Sequence, residues 1–399
     1  MATPFTGEGE RRKGSVELRA LAARRLRPVA DRGAPGKVNR PLLATLGELG
    51  LLSRVVPLAG PVRAQDLCLL RESLAYACTE AETALALQGL GAHPVVAQGT
   101  RAQRARWLPE VAAGRAVAAF ALSEPGAGSD AAALELRAEP TGVGGAVRAG
   151  GSLRVGSASS GWRLHGEKRW ISNAPQADVY TVFARTGPGT RAAGVTAFLV
   201  PADRPGLGGE PLEMLGPHPV GTLTFDGVPV GPGDVVGEVG RGFRLAMATL
   251  DLFRPSVGAF AVGMARSALD ASVAHAGERQ AFGGPLKDLQ AVSHLLAEMA
   301  TRTEAAALLV QAAAAAYDAG EPGVAARSAM AKLFATETAQ YVVDSAVQIH
   351  GARALAHGHL LEHLYREVRA PRIYEGASEV QRTIIAKELF RAAGAGASP

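Results

Sequence analysis

AFALSEPGAGSD, Ala119 to Asp130, is the point at which this 399-residue chain changes character. It opens as a short apolar run of the kind a strand makes and closes as a turn built on Pro125, Gly126 and Gly128. Before it, LLATLGELGLL (42–52) and DLCLLRESLAYAC (66–78) repeat apolar side chains every three or four positions, the period of a helix. After it, DVYTVFART (178–186), GVTAFLVPA (194–202) and TLTFDGVPV (222–230) are short, β-branched and aromatic, with turn residues between them. The turn itself gathers backbone N–H groups and the hydroxyls of Ser123 and Ser129 in a small space, which suits an anionic or polar heteroaromatic ligand. A plain turn between domains explains it equally well.

From Gly242 the helical period returns. Val292, Leu295, Leu296, Met299, Thr303, Ala306 and Val310 fall on one helical face, and helices of this length with alanine-rich seams pack as antiparallel bundles. The expected fold class is therefore α+β and multidomain. A helical N-terminal domain (1–117), broken by Pro57, Pro61 and Pro94, precedes an antiparallel β-barrel (118–236). A four-helix bundle (237–392) and a flexible tail (393–399) follow.

Formal net charge is +5, with 42 Lys and Arg against 37 Asp and Glu, and no basic run interleaved with aromatics points to nucleic acid. Cys68 and Cys78 are ten residues apart on one expected helix, about 15 Å along its axis, too far for a disulfide. With a polar N-terminus and no apolar leader, a reducing, cytoplasmic setting is expected. AAALLVQAAAAAY (305–317) is too short to cross a bilayer, so no membrane insertion is expected.

Near the C-terminus, RIYEGASEV (372–380) places Glu375 between a tyrosine and a glycine, upstream of a helix expected over Val380–Leu389 with Ser378 as its cap. GEKRWISNA (166–174) sets Trp170 beside Ser172. Those two suit a stacked ring system, although a strand tryptophan more often fills a core. QIHGARA (348–354) reads as a helix ending at Gly351. VGRGFRL (239–245) has Leu245 where a third glycine belongs, and TGVGGAV (141–147) precedes no helix, so a dinucleotide fingerprint is absent. HLLEH (359–363) matches the inverted zinc-peptidase pattern, but short motifs of this kind arise by chance, and no metal is expected.

Taken together, AFALSEPGAGSD, GEKRWISN, ERQAFGGPLKDLQAV (278–292), QIHGARA and RIYEGASEVQR, in that order and spacing, resemble the acyl-CoA dehydrogenase family of flavoproteins. The resemblance runs from about Leu43 to Leu389 and includes GTRAQRARWLP (99–109). It implies that Glu375 is the base that takes the α-proton of an acyl thioester while the β-hydrogen leaves as hydride to flavin N5. It assigns Phe120, Leu122, Ser123, Gly128 and Ser129 to the FAD, with Ser129 toward the pyrophosphate and also near substrate. Trp170 and Ser172 fall at the isoalloxazine ring, and Ala377 and Glu379 join the cofactor set. Arg279, Phe282, Gln348 and Gly351 match residues that reach the flavin of a neighbouring subunit, implying a homo-oligomer, typically a tetramer. Asp251, Arg254, Tyr374 and Gly376 match positions lining the substrate channel, and Thr83, Leu87 and Gln88 the far end of the acyl pocket.

The implied partners are an acyl-CoA and an electron-transfer flavoprotein. Ala377 departs from a common threonine, Ala352 from a frequent glycine, and EMLGPHPVGTLTF (213–225) lacks a usual Arg-x-Ser pattern. Phe253 occupies the position where some relatives carry the base, which leaves Glu375 as the candidate. A dehydrogenase of carrier-protein thioesters, an oxygen-using oxidase and a non-catalytic binding protein are the competing readings.

Overall fold

The computed structural model describes residues 8–141, 161–187 and 191–395. In chain order the helices α1 (Glu8–Leu21), α2 (Arg27–Ala30), α3 (Arg40–Glu48), α4 (Leu52–Val55), α5 (Ala64–Ala77), α6 (Thr79–Gln98) and α7 (Arg101–Ala112) come first. Strands β1 (Ala118–Ala121), β2 (Arg137–Pro140), β3 (Trp162–Ser172), β4 (Val179–Arg185), β5 (Val195–Pro201), β6 (Leu207–Gly208), β7 (Val220–Val230) and β8 (Val235–Val236) follow. Then come α8 (Gly242–Glu278), the hairpin β9 (Gln280–Ala281) and β10 (Gly284–Pro285), α9 (Gln290–Asp318), α10 (Val324–His350), α11 (Leu360–Glu367) and α12 (Ser378–Ala395). The α–β–α order read from the sequence is thus the order of the fold.

By packing, the described chain divides into two compact units. One takes the residues up to Arg32, Val62–Ala86 and everything from Leu250; the other takes Gly33–Pro61 and Leu87–Thr249. Long helices build the first unit. α10 packs along α9 and α12, and α5 along α1 and α9. Small residues make this possible: Ala326, Ala329, Ala335, Ala339 and Ala346 of α10 are all buried. On α9, Met299, Thr303, Ala306 and Val310 are buried as the period predicts, whereas Val292, Leu295 and Leu296 are only half-buried.

The second unit is organised by a sheet with strand order β6-β7-β3-β2-β4-β5-β8, and β1 attached to β4. Most pairings are antiparallel; β1 and β2 each meet β4 in parallel. β4 is buried as far as Ala184 and β5 along its whole length, which explains their continuous apolar sequences. β3 and β7 alternate buried and exposed residues until a register shift between Lys168 and Ile171. Gly91 of α6 lies so close to β1 that a Cβ there would sit 2.6 Å from the Ala119 nitrogen, so no larger residue fits.

Several expectations are corrected. Pro94 lies inside α6 rather than ending it, because packing of the helix outweighs one missing backbone bond. α12 starts two residues earlier than expected and runs to Ala395. The first residues of the expected tail (393–399) are therefore helical, and 396–399 lie outside the described residues. TGVGGAV likewise falls almost wholly outside them. α8 is long and apolar enough by composition to cross a membrane, yet 78% of its most apolar window is buried within the protein. Cys68 and Cys78 are both buried free thiols.

Candidate active site

Two consecutive residues of the RIYEGASEV turn adopt left-handed backbone angles, Glu375 at φ +50° and Gly376 at φ +94°. Glycine does this freely, but for glutamate it costs energy and persists only where neighbours impose it. Three side chains impose it. Lys332 of α10 donates from Nζ to the Gly376 carbonyl at 2.7 Å. Gln381, in the first turn of α12, donates from Nε2 to the same carbonyl at 2.8 Å and to the Glu375 carbonyl at 3.3 Å. Glu337 of α10 clamps the flanks, pairing with Arg372 at 2.8 Å and accepting from the Ser378 hydroxyl at 2.6 Å. The Ser378 side chain is thereby committed to Glu337 and is not the helix cap. Ala377 holds that position, its carbonyl accepting the Gln381 N–H at 3.0 Å.

The carboxyl of Glu375 is unusual in its surroundings. Its Oε2 is buried and makes no hydrogen bond among the described residues. Burial raises its pKa above the ordinary value, while the charges of Arg71, Lys332 and Arg254 pull it back. Lys332 is fully buried, and burial lowers its ammonium to about 8, with Glu375 opposing and Arg254 adding to the fall. Arg71 on α5 forms a buried ion pair with Glu82 on α6 and donates from Nη1 to Ser256 Oγ at 2.8 Å. Burial works against the Arg71 charge, but Glu82, Glu375 and Tyr374 outweigh it and hold the guanidinium above its usual pKa. A carboxylate with one unpartnered oxygen and an elevated pKa is equipped to accept a proton from carbon.

Asp251 and Arg254 sit on α8, joined at 2.5 Å, and burial raises the Asp251 carboxyl against the pull of Arg254. Tyr374 is 37% exposed. Arg279, Gln348 and Gly351 lie on the surface, and Phe282, at the tip of the β9–β10 hairpin, is 92% exposed. A phenylalanine so exposed, at φ +54°, suits a surface meant to be covered. Glu379 points outward and pairs with Arg382 at 3.3 Å. His359 is the N-cap of α11, one turn before His363: its carbonyl accepts the His363 N–H at 3.1 Å and its Nδ1 accepts the Leu361 N–H at 3.1 Å. His363 Nε2 meets the Thr79 hydroxyl at 2.6 Å.

In the sheet unit, β1 delivers Phe120 against Phe183, ring centroids 4.9 Å apart, and leads into Leu122 and Ser123. Beneath the following turn lies buried Glu124. Its carboxylate accepts Lys168 Nζ at 2.7 Å and the backbone N–H groups of Glu135 and Leu136 at 2.5 and 2.9 Å. Lys168 also donates to the Leu122 carbonyl at 2.9 Å, and burial lowers its ammonium to about 8 against the pull of Glu124. The Arg169 N–H closes on the Ser123 carbonyl at 3.0 Å. This buried brace fixes the Ser123–Ser129 turn at the surface. There Gly128 and Ser129 are exposed, and a Cβ on Gly126 or Gly128 would meet nothing.

Trp170, at the register shift of β3, has φ +58° and is 47% exposed, so it does not fill the core. A large aromatic held at strained backbone angles and presented outward offers a face on which a ring could stack. Ser172, two residues on, is half-buried. Gln88 is fully buried, with its amide spent on the Ala116 carbonyl and the Ala118 N–H, both at 2.7 Å. It braces β1 with both ends of its amide.

This arrangement has relatives. The N-terminal, middle and C-terminal domains of acyl-CoA dehydrogenase match residues 10–115, 119–228 and 240–390 respectively. The chain belongs to the acyl-CoA dehydrogenase family. It is 34% identical to a cyclohexane-1-carbonyl-CoA dehydrogenase from Geobacter metallireducens, over 98% of this chain and all of the relative. It is 36% identical to the mitochondrial short-chain specific acyl-CoA dehydrogenase of Mus musculus, over 87% of this chain and 81% of the relative. The structure of butyryl-CoA dehydrogenase from Megasphaera elsdenii superposes with a TM-score of 0.85 at 29% identity, covering 97% of this chain and all of the other. Like other acyl-CoA dehydrogenases, this chain is an oxidoreductase, of a family whose members are FAD-dependent.

Its own residues fit that cofactor. The outward Trp170 provides a face for a ring system, and the open turn around Gly126 and Gly128 provides backbone for phosphate oxygens. Sequence reading missed Arg71, Glu82, Lys332 and Gln381. The signal was present in two cases. Arg71 interrupts an apolar helix face, and Lys332 is the one charge in SAMAKLFA (328–335).

Proposed function

We propose that this chain is an FAD-dependent acyl-CoA dehydrogenase in which Glu375 removes the α-proton of a saturated acyl thioester, yielding the trans-2-enoyl product. The observation that carries the reading is the Glu375 carboxyl itself, with Oε2 buried and unpartnered among the described residues, on a left-handed turn, and its pKa elevated by burial. A thioester α-proton is a very weak acid, so the base must be stronger than a solvated carboxylate of pKa ~4.3. The α-proton goes to Glu375, the α-carbon electron pair forms the new double bond, and the β-hydrogen departs with its two electrons. Bound FAD supplies the acceptor for that hydride, and an electron-transfer flavoprotein is the onward acceptor.

Phe120, Leu122, Ser123, Gly128, Ser129, Trp170 and Ser172 hold the cofactor in this reading. Ser129, Asp251, Arg254, Tyr374 and Gly376 face the thioester. Arg279, Phe282, Gln348 and Gly351 serve a neighbouring subunit of a homotetramer, with Ala377 and Glu379 near the flavin. The relatives' names span alicyclic and short-chain acyl groups, so the acyl class is left to experiment. The test is an anaerobic panel of acyl-CoAs added to the yellow protein while flavin absorbance is followed. Rapid bleaching by one chain class, lost in Glu375→Gln with flavin content retained, supports the reading. Equal bleaching by Glu375→Gln removes Glu375 as the base, and a panel that bleaches nothing removes the acyl-CoA.

A further inference from the structure

We propose that Lys332 is the positioning residue of the base: its buried ammonium, anchored on the Gly376 carbonyl, fixes the left-handed turn that aims the Glu375 carboxyl. The inference rests on the proposed role of Glu375 and deepens it. Lys332 is fully buried in the middle of α10, a helix otherwise seamed with alanine, and among the described residues it makes no direct ion pair with a carboxylate. Its hydrogen bond runs to a backbone carbonyl, that of Gly376, at 2.7 Å. Burying an ammonium to hold one carbonyl is a costly way to brace a turn, since a neutral donor would do. Gln381 already is such a donor, placed on the same carbonyl at 2.8 Å. What lysine adds is charge.

That charge has a receiver. Three cations act on the Glu375 carboxyl, one from each surrounding helix: Arg71 from α5, Lys332 from α10 and Arg254 from α8. Arg71 is committed to Glu82 and Ser256, and Arg254 to Asp251. Lys332 alone of the three is bonded to the turn that carries the base. The groups acting on Lys332 are Glu375, Arg254, Glu337 and Glu379. Of these, Glu337 is already paired with Arg372 and Ser378, and Glu379 with Arg382. Lys332 therefore does two things through one atom. It locks the backbone that points the carboxyl, and it keeps that buried carboxyl ionisable at working pH.

The two roles separate by substitution. Lys332→Met removes bond and charge; Lys332→Gln restores a donor without the charge. The measurements are flavin content, anaerobic reduction rate by a bleaching acyl-CoA across pH, and an infrared titration of the Glu375 carboxyl taken as a difference against Glu375→Gln. Lys332→Met is expected to keep its flavin, to lose about 100-fold in reduction rate through misalignment, and to move the Glu375 titration up by about 1–3 units. Lys332→Gln is expected to regain rate at high pH while keeping the raised titration.

A merely structural lysine would lower stability without moving that titration. An unchanged infrared titration in Lys332→Met therefore overturns the proposal, whatever the rate does. Because the infrared titration needs no turnover, the two readings are distinguishable. If no acyl-CoA reduces the wild-type protein yet Lys332→Met still shifts the carboxyl, the dehydrogenase reading falls and the role of Lys332 toward Glu375 stands.

Discussion

Glu375, Gly376 and Trp170 each hold a backbone conformation that their sequence neighbours do not demand, and each yields a prediction. At Gly376 the φ of +94° is left-handed, and a Cβ would sit 2.2 Å from Gln381 Nε2. Gly376→Ala is expected to cost about 1–3 kcal/mol of stability through strain. Because the Gln381 bond to this turn must break to make room, flavin reduction should fall by about 100-fold, more than the stability loss explains. Thermal unfolding and anaerobic reduction, measured on the same preparation, check it; a variant with normal reduction would free the turn from any role in aiming the base. Trp170 is the converse case. Its ring is half exposed and its φ of +58° is strained, so the ring contributes little to the fold. Trp170→Gly is expected to leave the melting temperature of the flavin-free protein unchanged or slightly higher, while flavin retention through gel filtration drops. Full retention would make the exposed ring a surface accident.

At the scale of elements, the pair that joins α5 to α6 is the most exposed to test. Arg71 and Glu82 are 3% and 0% exposed and bonded to each other. Removing one partner strands a buried charge, so Arg71→Met should cost about 3–5 kcal/mol in denaturant unfolding, whereas Arg71→Met with Glu82→Met should recover most of it. If the double variant is as unstable as the single, the pair is not the source of the loss. Elements were also where the sequence was most informative. Helix period before Gly114 and after Gly242, and β-branched runs between them, mark local preferences, so the helices and β4, β5 and β7 were legible. What joins them was not. Lys332 and Gly376 are 44 residues apart, Lys168 and Leu122 are 46, and no period records a contact across that distance. Ser378 was misread for the same reason: its local capping propensity was overridden by Glu337, 41 residues away. Trp170 could not be told from a core tryptophan because exposure at a bulge is a property of the assembled sheet.

At the scale of the whole molecule, the proposed base Glu375 is a cost to the fold above its raised pKa. The folded-state pKa of Glu375 lies above its ordinary value, burial being the leading cause. In the unfolded chain it titrates near ~4.3. Between those two values the native state binds more protons than the unfolded state, so stability falls as pH rises through that window and stays lower above it. Glu375→Gln carries no titrating group there. Its stability relative to wild type should therefore be constant below the ordinary carboxylate range, increase through the window, and level off above the raised pKa. Any fixed cost of burying the amide shifts that difference uniformly without changing its direction. Lys168 titrates in both proteins and cancels, while Lys332 loses the Glu375 charge that raises its ammonium, and its further fall in the variant acts in the same direction. Melting temperatures of both flavin-loaded proteins between pH 4 and pH 8 give the difference directly. A gap between the two that shrinks as pH rises would mean that Glu375 is stabilised as a carboxylate in the fold, and that it is too weak a base for the proton it is proposed to take.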